Sequence, residues 1–240
     1  MHLTDEQQAL LNGEKGEVMA KIVKTLVMYG DTFGAERMVP VTSEYGHTVD
    51  TVTDKTAIKP ETLGAYDAVV IAKGNRLTEE NEPWFEPGVP VDEDGYRRYI
   101  EAGGALLMLH SGTTFRRESC PKMTALMGLR FLGHPAQCPM RVHVADPAHP
   151  IAEGVEDFTL EADEHYQLEL LDDRSRIVFE TVSDAGTQPG GLTREIGAGR
   201  MCVLTPGHND SVFENPGYRK IIANALEWIA AKRESKGETQ

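Results

Sequence analysis

Apolar positions at Val18, Met19, Ile22, Val23, Leu26 and Val27 recur at i, i+4 and i+8, which predicts one buried helix face ended by Gly30. Ahead of it, Thr4 with Gln7 forms a capping box for a short helix that stops near Gly13. Arg37 to Val41 reads as a short extended piece. From about residue 46 the pattern changes to strands alternating with helices. Thr48 to Thr53 is one strand, and Asp67 to Lys73 is a second, buried on both faces. Tyr96 to Ala102 reads as a helix closed by Gly103-Gly104. Ala105 to Leu109 is too short for a core helix and predicts a central parallel strand. Arg141 to Ala145, Ile177 to Thr181 and Met201 to Thr205 are further strands. Asn215 caps a last helix with Pro216 as its first residue, and Ile221, Ile222, Ala225, Trp228 and Ile229 form its buried face.

This alternation predicts an α/β fold with a doubly wound, mostly parallel sheet and an N-terminal helical extension. Residues 1–45 read as a helical appendage, 46–234 as the α/β domain, and 235–240 as a frayed tail. The apolar face of Val18, Ile22 and Leu26 needs a partner, either a bare sheet edge or a second copy of the chain, so a homo-oligomer stays open. Residues 78–95 hold seven acids, three prolines and Trp84-Phe85. That stretch reads as a solvated loop, with a lid as the sharper reading.

Charge narrows the partners. Across 240 residues, 38 acids against 24 bases leave a net charge of −14, which repels phosphate backbones and argues against nucleic acid. No run of 18 apolar residues exists to span a membrane, and the start lacks the pattern of a secretory signal, so a cytoplasmic location is the default expectation. Cys120, Cys138 and Cys202 are odd in number and irregular in spacing, unlike a disulfide framework or a metal-binding pair. Neither a Walker loop nor G-x-G-x-x-G occurs, so no nucleotide cofactor is expected.

Candidate chemistry gathers where strands end. The central strand runs into His110-Ser111-Gly112, an elbow that presents His110, with Gly112 easing the turn. An imidazole there can be base, acid or ligand; Ser111 lacks the frame of a serine nucleophile. The strand ending at Thr205 leads to Gly207-His208, and Asp210 two residues on is placed to orient that imidazole. Asp163-Glu164-His165-Tyr166 is a third polar cluster, open to reading as a solvated face. Gly133-His134-Pro135 is a fourth, and His149 between Pro147 and Pro150 reads as structural. His110, His134, Glu164 and His208 have donors suited to zinc or another divalent ion, although no close pair signals a metal.

Several segments in order resemble the ThuA-like (trehalose utilisation) family. They are Tyr96–Gly112 (YRRYIEAGGALLMLHSG), Gly128–Pro135 (GLRFLGHP), Asp146–Ile151 (DPAHPI), Asp163–Tyr166 (DEHY), Gly197–Met201 (GAGRM) through Gly207-His208, and the closing helix with Glu227-Trp228. The resemblance covers roughly residues 46 to 232. It implies a class I glutamine-amidotransferase-like, flavodoxin-related fold and a link to carbohydrate metabolism. In amidotransferases the elbow carries a cysteine; here His110 stands there, with His208 and Asp210 where that family's histidine and acid would fall. A glutaminase is therefore not expected. Separately, Leu3–Gly16 and Gly30–Ser43 resemble the start of aconitase X-type dehydratases, whose iron–sulfur ligands and remaining domains have no counterpart here. The first strand usual in a ThuA-like sheet is not evident in this reading.

The resulting expectation is a sugar- or polyol-processing protein. His110, Glu164, His208 and Asp210 are its catalytic candidates, and Ser111, His134 and Tyr166 line the substrate pocket. His110, Glu164 and His208 are the possible ligands of a divalent metal such as zinc. Two other expectations compete with it: a non-catalytic sugar-binding or regulatory module, and an accessory chain of an aconitase X-like dehydratase.

Overall fold

A computed structural model describes residues 23–28, 37–52, 60–72, 92–118 and 120–231. The expected first helix, most of the acidic loop with its lid, and the tail lie outside the described residues.

Among the described residues, nine strands form the main sheet: β1 (Lys24–Met28), β2 (Thr48–Val52), β3 (Ala68–Ile71), β4 (Ala105–Leu109), β6 (Cys138–Val144), β7 (Phe158–Asp163), β9 (Arg176–Ser183), β10 (Gly186–Ile196) and β11 (Gly199–Leu204). Their order is β2-β1-β3-β4-β11-β10-β9-β6-β7, and β5 (Leu129–Gly133) with β8 (Gln167–Leu170) makes a separate antiparallel pair. From β2 to β11 neighbours pair in parallel; from β11 to β7 they pair antiparallel. The parallel part is the flavodoxin-like order, doubly wound as expected.

Both faces of that sheet are packed, and residue parity shows it. Ala68, Val70, Leu107, Leu109, Cys202 and Leu204 enter one core with α1 (Met38–Glu44) and α6 (Pro216–Ala231). Val69, Ile71, Leu106, Met108, Met201 and Val203 enter the other with α3 (Glu93–Glu101) and α4 (Pro121–Met127). Between α1 and α3 lies the one-turn α2 (Pro60–Leu63), and α5 (Asp210–Glu214) precedes α6. Side chains that alternate between two apolar layers suit strands buried on both sides. Asn215 caps α6 as expected, its Oδ1 accepting from Gly217 N at 2.9 Å and Tyr218 N at 3.2 Å.

Two expectations near the start are corrected. The run expected to be helical through Val27 is a strand over Lys24–Met28, lying between β2 and β3. Val23 packs into one core and Leu26 into the other, which a strand achieves and a single helix stripe does not. The sheet therefore has its first strand, and the α/β domain begins before residue 46. The piece expected to be extended from Arg37 to Val41 is largely helix α1. Pro40 sits in its first turn, where the missing N–H costs no hydrogen bond. β10 was not foreseen either: its Pro189-Gly190-Gly191 reads as a breaker, and the structure places a bulge there.

The antiparallel half curls back. β7 lies at the far edge, with β10, β9 and β6 between it and β11. Yet Asp163 at its end bonds the loop that leaves β11, which brings the sheet's edge over the carboxyl ends of its parallel strands.

Candidate active site

His110 leaves β4 with a φ of 43°, the one non-glycine residue of positive φ among the described residues. A histidine in that region stores backbone strain, which the surrounding packing must hold. Two glycines make the space. A side chain at Gly112 would run into the Ile71 carbonyl oxygen of β3, so the expected easing of the turn is a matter of close approach. At Gly207, with φ 143°, a Cβ would lie 3.0 Å from that of His110. The turn after β4 is thus pressed between the ends of β3 and β11.

The imidazole of His110 is buried and its tautomer is legible. Nδ1 lies 2.9 Å from the Thr205 carbonyl oxygen, which can only accept, so Nδ1 carries the proton. In the neutral ring Nε2 then keeps its lone pair. It meets the Tyr166 hydroxyl at 3.1 Å and Glu164 Oε2 at 3.4 Å. Tyr166 stacks on the His110 ring with centroids 4.7 Å apart and on the His134 ring at 5.8 Å, while Phe131 closes on its edge.

Glu164 is the hub. Its Oε1 lies 2.9 Å from His208 Nδ1 and 3.4 Å from His134 Nε2. Three imidazoles, from the ends of β4 and β11 and from the loop after β5, converge on a carboxylate that follows β7. Burial pushes the Glu164 carboxyl up, but His110, which donates to it only as the imidazolium, together with His208 and His134 holds it below its ordinary range. Burial pushes His208 down against the opposing pull of Glu164. At neutral pH the arrangement is a carboxylate held by imidazoles, with His208 favouring its neutral form.

Asp163, fully buried, holds the frame. Its Oδ2 accepts from Gly207 N at 2.8 Å and its Oδ1 from His208 N at 2.9 Å. The Asn209 amide adds bonds to the Ala162 carbonyl at 2.8 Å and to Gln137 at 2.9 Å. Asp163 entered the sequence reading only as part of a polar cluster, and nothing local marks it as the residue that positions His208.

His110, Glu164, His208, His134 and Tyr166 are therefore brought together. Asp210 and Ser111 are not. Asp210 is exposed and pairs with Arg37, whose guanidinium also donates to the His208 carbonyl at 3.3 Å. Glu164 takes the place expected of Asp210 on the His208 ring. The Ser111 hydroxyl donates to the Ala72 carbonyl at 2.7 Å, tying the elbow to the end of β3. His149 is structural as expected, accepting from Ile151 N and meeting Thr193 Oγ1. Cys120 and Cys202 are buried in the cores, and no thiol stands at the elbow.

The trehalose-utilisation (ThuA) family profile matches residues 14–229. The chain belongs to the ThuA family. Membership ties it to carbohydrate utilisation. A ThuA-like protein of Bacteroides uniformis superposes with a TM-score of 0.65 at 18% identity, over 88% of this chain and 93% of that one. A glutamine amidotransferase of Thermotoga maritima superposes at 0.60 with 13% identity, over 88% and 99%. At such identities the likeness shows the shared fold. The match of the ThuA profile begins well before residue 46, in agreement with β1 as part of the sheet. A different similarity is short: 43 residues are 44% identical to the phosphomevalonate dehydratase large subunit of Methanosarcina mazei. They make up 18% of this chain, which spans about a tenth of that relative (11%).

Proposed function

We propose that this ThuA-family protein processes an uncharged sugar or polyol by proton transfer at the His110–Glu164–His208 group. The observation that carries the reading is the convergence of two strand-end imidazoles on one half-buried carboxylate, at the carboxyl ends of the strands where α/β folds collect ligands. His110 Nε2, left with its lone pair by the Nδ1–H bond to Thr205 and in contact with the Tyr166 hydroxyl, is the base, and Glu164 Oε2 beside it stabilises the imidazolium formed. His208, held at Nδ1 by Glu164, keeps Nε2 for the second proton transfer. His134, about a third exposed and backed by the buried Tyr166, supplies a stacked face on which a sugar ring can lie. A phosphorylated substrate suits the site poorly. Glu164 is itself anionic, Arg37 is spent on Asp210 and the His208 carbonyl, and the whole chain carries a charge of −14.

The test is a screen of neutral mono- and disaccharides and polyols for turnover and binding, with His110→Ala alongside. Turnover that falls by about 10²–10⁴ in the variant supports the reading. Saturable binding with no turnover replaces it with a sugar-binding module, and neither binding nor turnover overturns it.

A second reading rests on the 43-residue similarity to dehydratase large subunits. Under it the chain is an accessory of such an enzyme, docking through its first 43 residues. Co-purification with a dehydratase partner, lost when those residues are removed, supports it; a chain that purifies alone from cells making such a partner rejects it.

A further inference from the structure

His110, Glu164 and His208 each offer one ligand atom, and these atoms lie within 4.8 Å of one another. We propose that this cluster is a zinc-class divalent cation site, with His110 Nε2, a Glu164 oxygen and His208 Nδ1 as its three protein ligands; the inference rests on the reading of the same residues as the functional centre. Two imidazole nitrogens and a carboxylate, with a fourth position open, are the donor set of a catalytic rather than a structural zinc site.

The spacing fits. Ligands 2.0–2.1 Å from a tetrahedral ion stand about 3.3 Å apart. Each imidazole meets its own oxygen of the carboxylate, His208 Nδ1 at 2.9 Å from Oε1 and His110 Nε2 at 3.4 Å from Oε2, and with one atom from each residue all three lie within 4.8 Å, so a small inward movement closes them on an ion. A metal-bound histidine normally donates its other ring N–H to a carbonyl or carboxylate, which fixes the ring and aims the lone pair. His110 does this through Thr205 O, independently of the convergence itself. A cation at His208 Nδ1 requires the proton on Nε2, the other tautomer from the one that pairs Nδ1–H with Glu164. The Asp163 bonds to Gly207 N and His208 N hold the backbone from which that ring projects, the support that a ligand needs.

The surroundings leave one side for substrate. His110, Glu164 and His208 are largely buried, whereas His134 is about a third exposed, with its Nδ1 bonded to Pro135 O at 2.9 Å and its Nε2 turned toward Glu164. His134 and Tyr166 are thus placed to hydrogen-bond a water or a sugar hydroxyl in the fourth position. A cation there would lower the pKa of a bound water or polarise a substrate oxygen. The His143–Asp157 pair offers no equivalent, because it is exposed and Arg141 already occupies the carboxylate.

The experiment uses the full chain, stripped with a chelator and titrated with Co²⁺ in the absence of any sugar, followed by visible absorption and displacement with Zn²⁺. One equivalent bound, with the intense bands of a four-coordinate ion, is expected. Glu164→Gln and His208→Ala should weaken binding by at least about 100-fold, beyond the loss seen for supporting residues, while circular dichroism stays unchanged and His143→Ala binds as wild type. No uptake by the stripped wild-type chain, or equal uptake by Glu164→Gln and His208→Ala, overturns the cation site. Failure of the cation site leaves His110 Nε2 as the base, whereas an occupied site takes up that lone pair and makes His110 a ligand; the reading of these residues as the functional centre fails separately, if His110→Ala keeps wild-type turnover.

Discussion

His208 Nδ1 and Glu164 Oε1 lie 2.9 Å apart, although 44 residues of chain separate them and their strands stand four places apart in the sheet. The imidazole is therefore oriented by a carboxylate from the curled sheet edge, and Asp210, its near neighbour in sequence, turns away to Arg37. That pair sets the charge beside the His208 ring.

Burial lowers the His208 pKa and the Glu164 charge works against that shift. Replacing Glu164 by Gln removes the opposing charge and keeps the burial. In chelator-treated protein, the His208 pKa should drop further in Glu164→Gln, as read by NMR titration of its imidazole. A pKa that rises or stays put contradicts the pairing.

Asp163→Asn keeps the shape but replaces one accepting oxygen by a donating amide. Either Gly207 N or His208 N then loses its partner inside the protein. The cost should be about 1–3 kcal/mol of stability, read by urea unfolding, with kcat on any substrate falling more than this loss of folded protein explains.

Gly112→Ala puts a methyl into the Ile71 carbonyl oxygen, and neither strand end can withdraw from a core packed on both faces. An overpacking cost of about 1–3 kcal/mol is expected. The urea midpoint should fall with an unchanged slope. A variant as stable as wild type would show that the elbow does not press on β3.

Burial pushes His47, His149, His165 and His208 down from their ordinary values, partly opposed by Glu227, Asp146 and Glu164 and by the His165 bond to Thr181. Below about pH 6.5 the unfolded chain therefore binds protons that the folded chain refuses, so stability is full above that pH and declines as the pH falls. Denaturant midpoints at pH 7.5 and 5.5 check it. The lower pH should give the lower midpoint, before ordinary carboxylates begin to titrate.

Glutamine hydrolysis should be absent despite the amidotransferase-like fold. The elbow residue is His110, and Cys202 is sealed in the core with its thiol pushed far above the ordinary range by burial. An imidazole moves protons but forms no thioester. Ammonia released from glutamine and abolished by a thiol alkylator would reverse this.

Much of the fold is legible along the chain because burial on both faces leaves apolar runs such as Ala105–Leu109, and caps such as Asn215-Pro216 act within a few residues. The alternation of β3, β4 and β11 with helices, the elbow at His110, and the polar character of Glu164, His208, His134 and Tyr166 are local properties, and they suffice to nominate the site. Where local signals conflict, the reading fails. Val23 to Met28 fits a helix stripe and a buried strand equally well, and pairing with β2 and β3 decides for the strand. The proline in α1 and the Pro189-Gly190-Gly191 bulge in β10 hide elements for the same reason, since neighbours in space supply what propensity withholds. The partner of His208 lies beyond any local signal. Asp210 is nearer in sequence and chemically equivalent, and only the curl that brings β7 over β11 selects Glu164. Residue types and their rhythm are set by sequence alone, whereas which carboxylate meets which imidazole depends on strand order and sheet curvature, which belong to the whole chain.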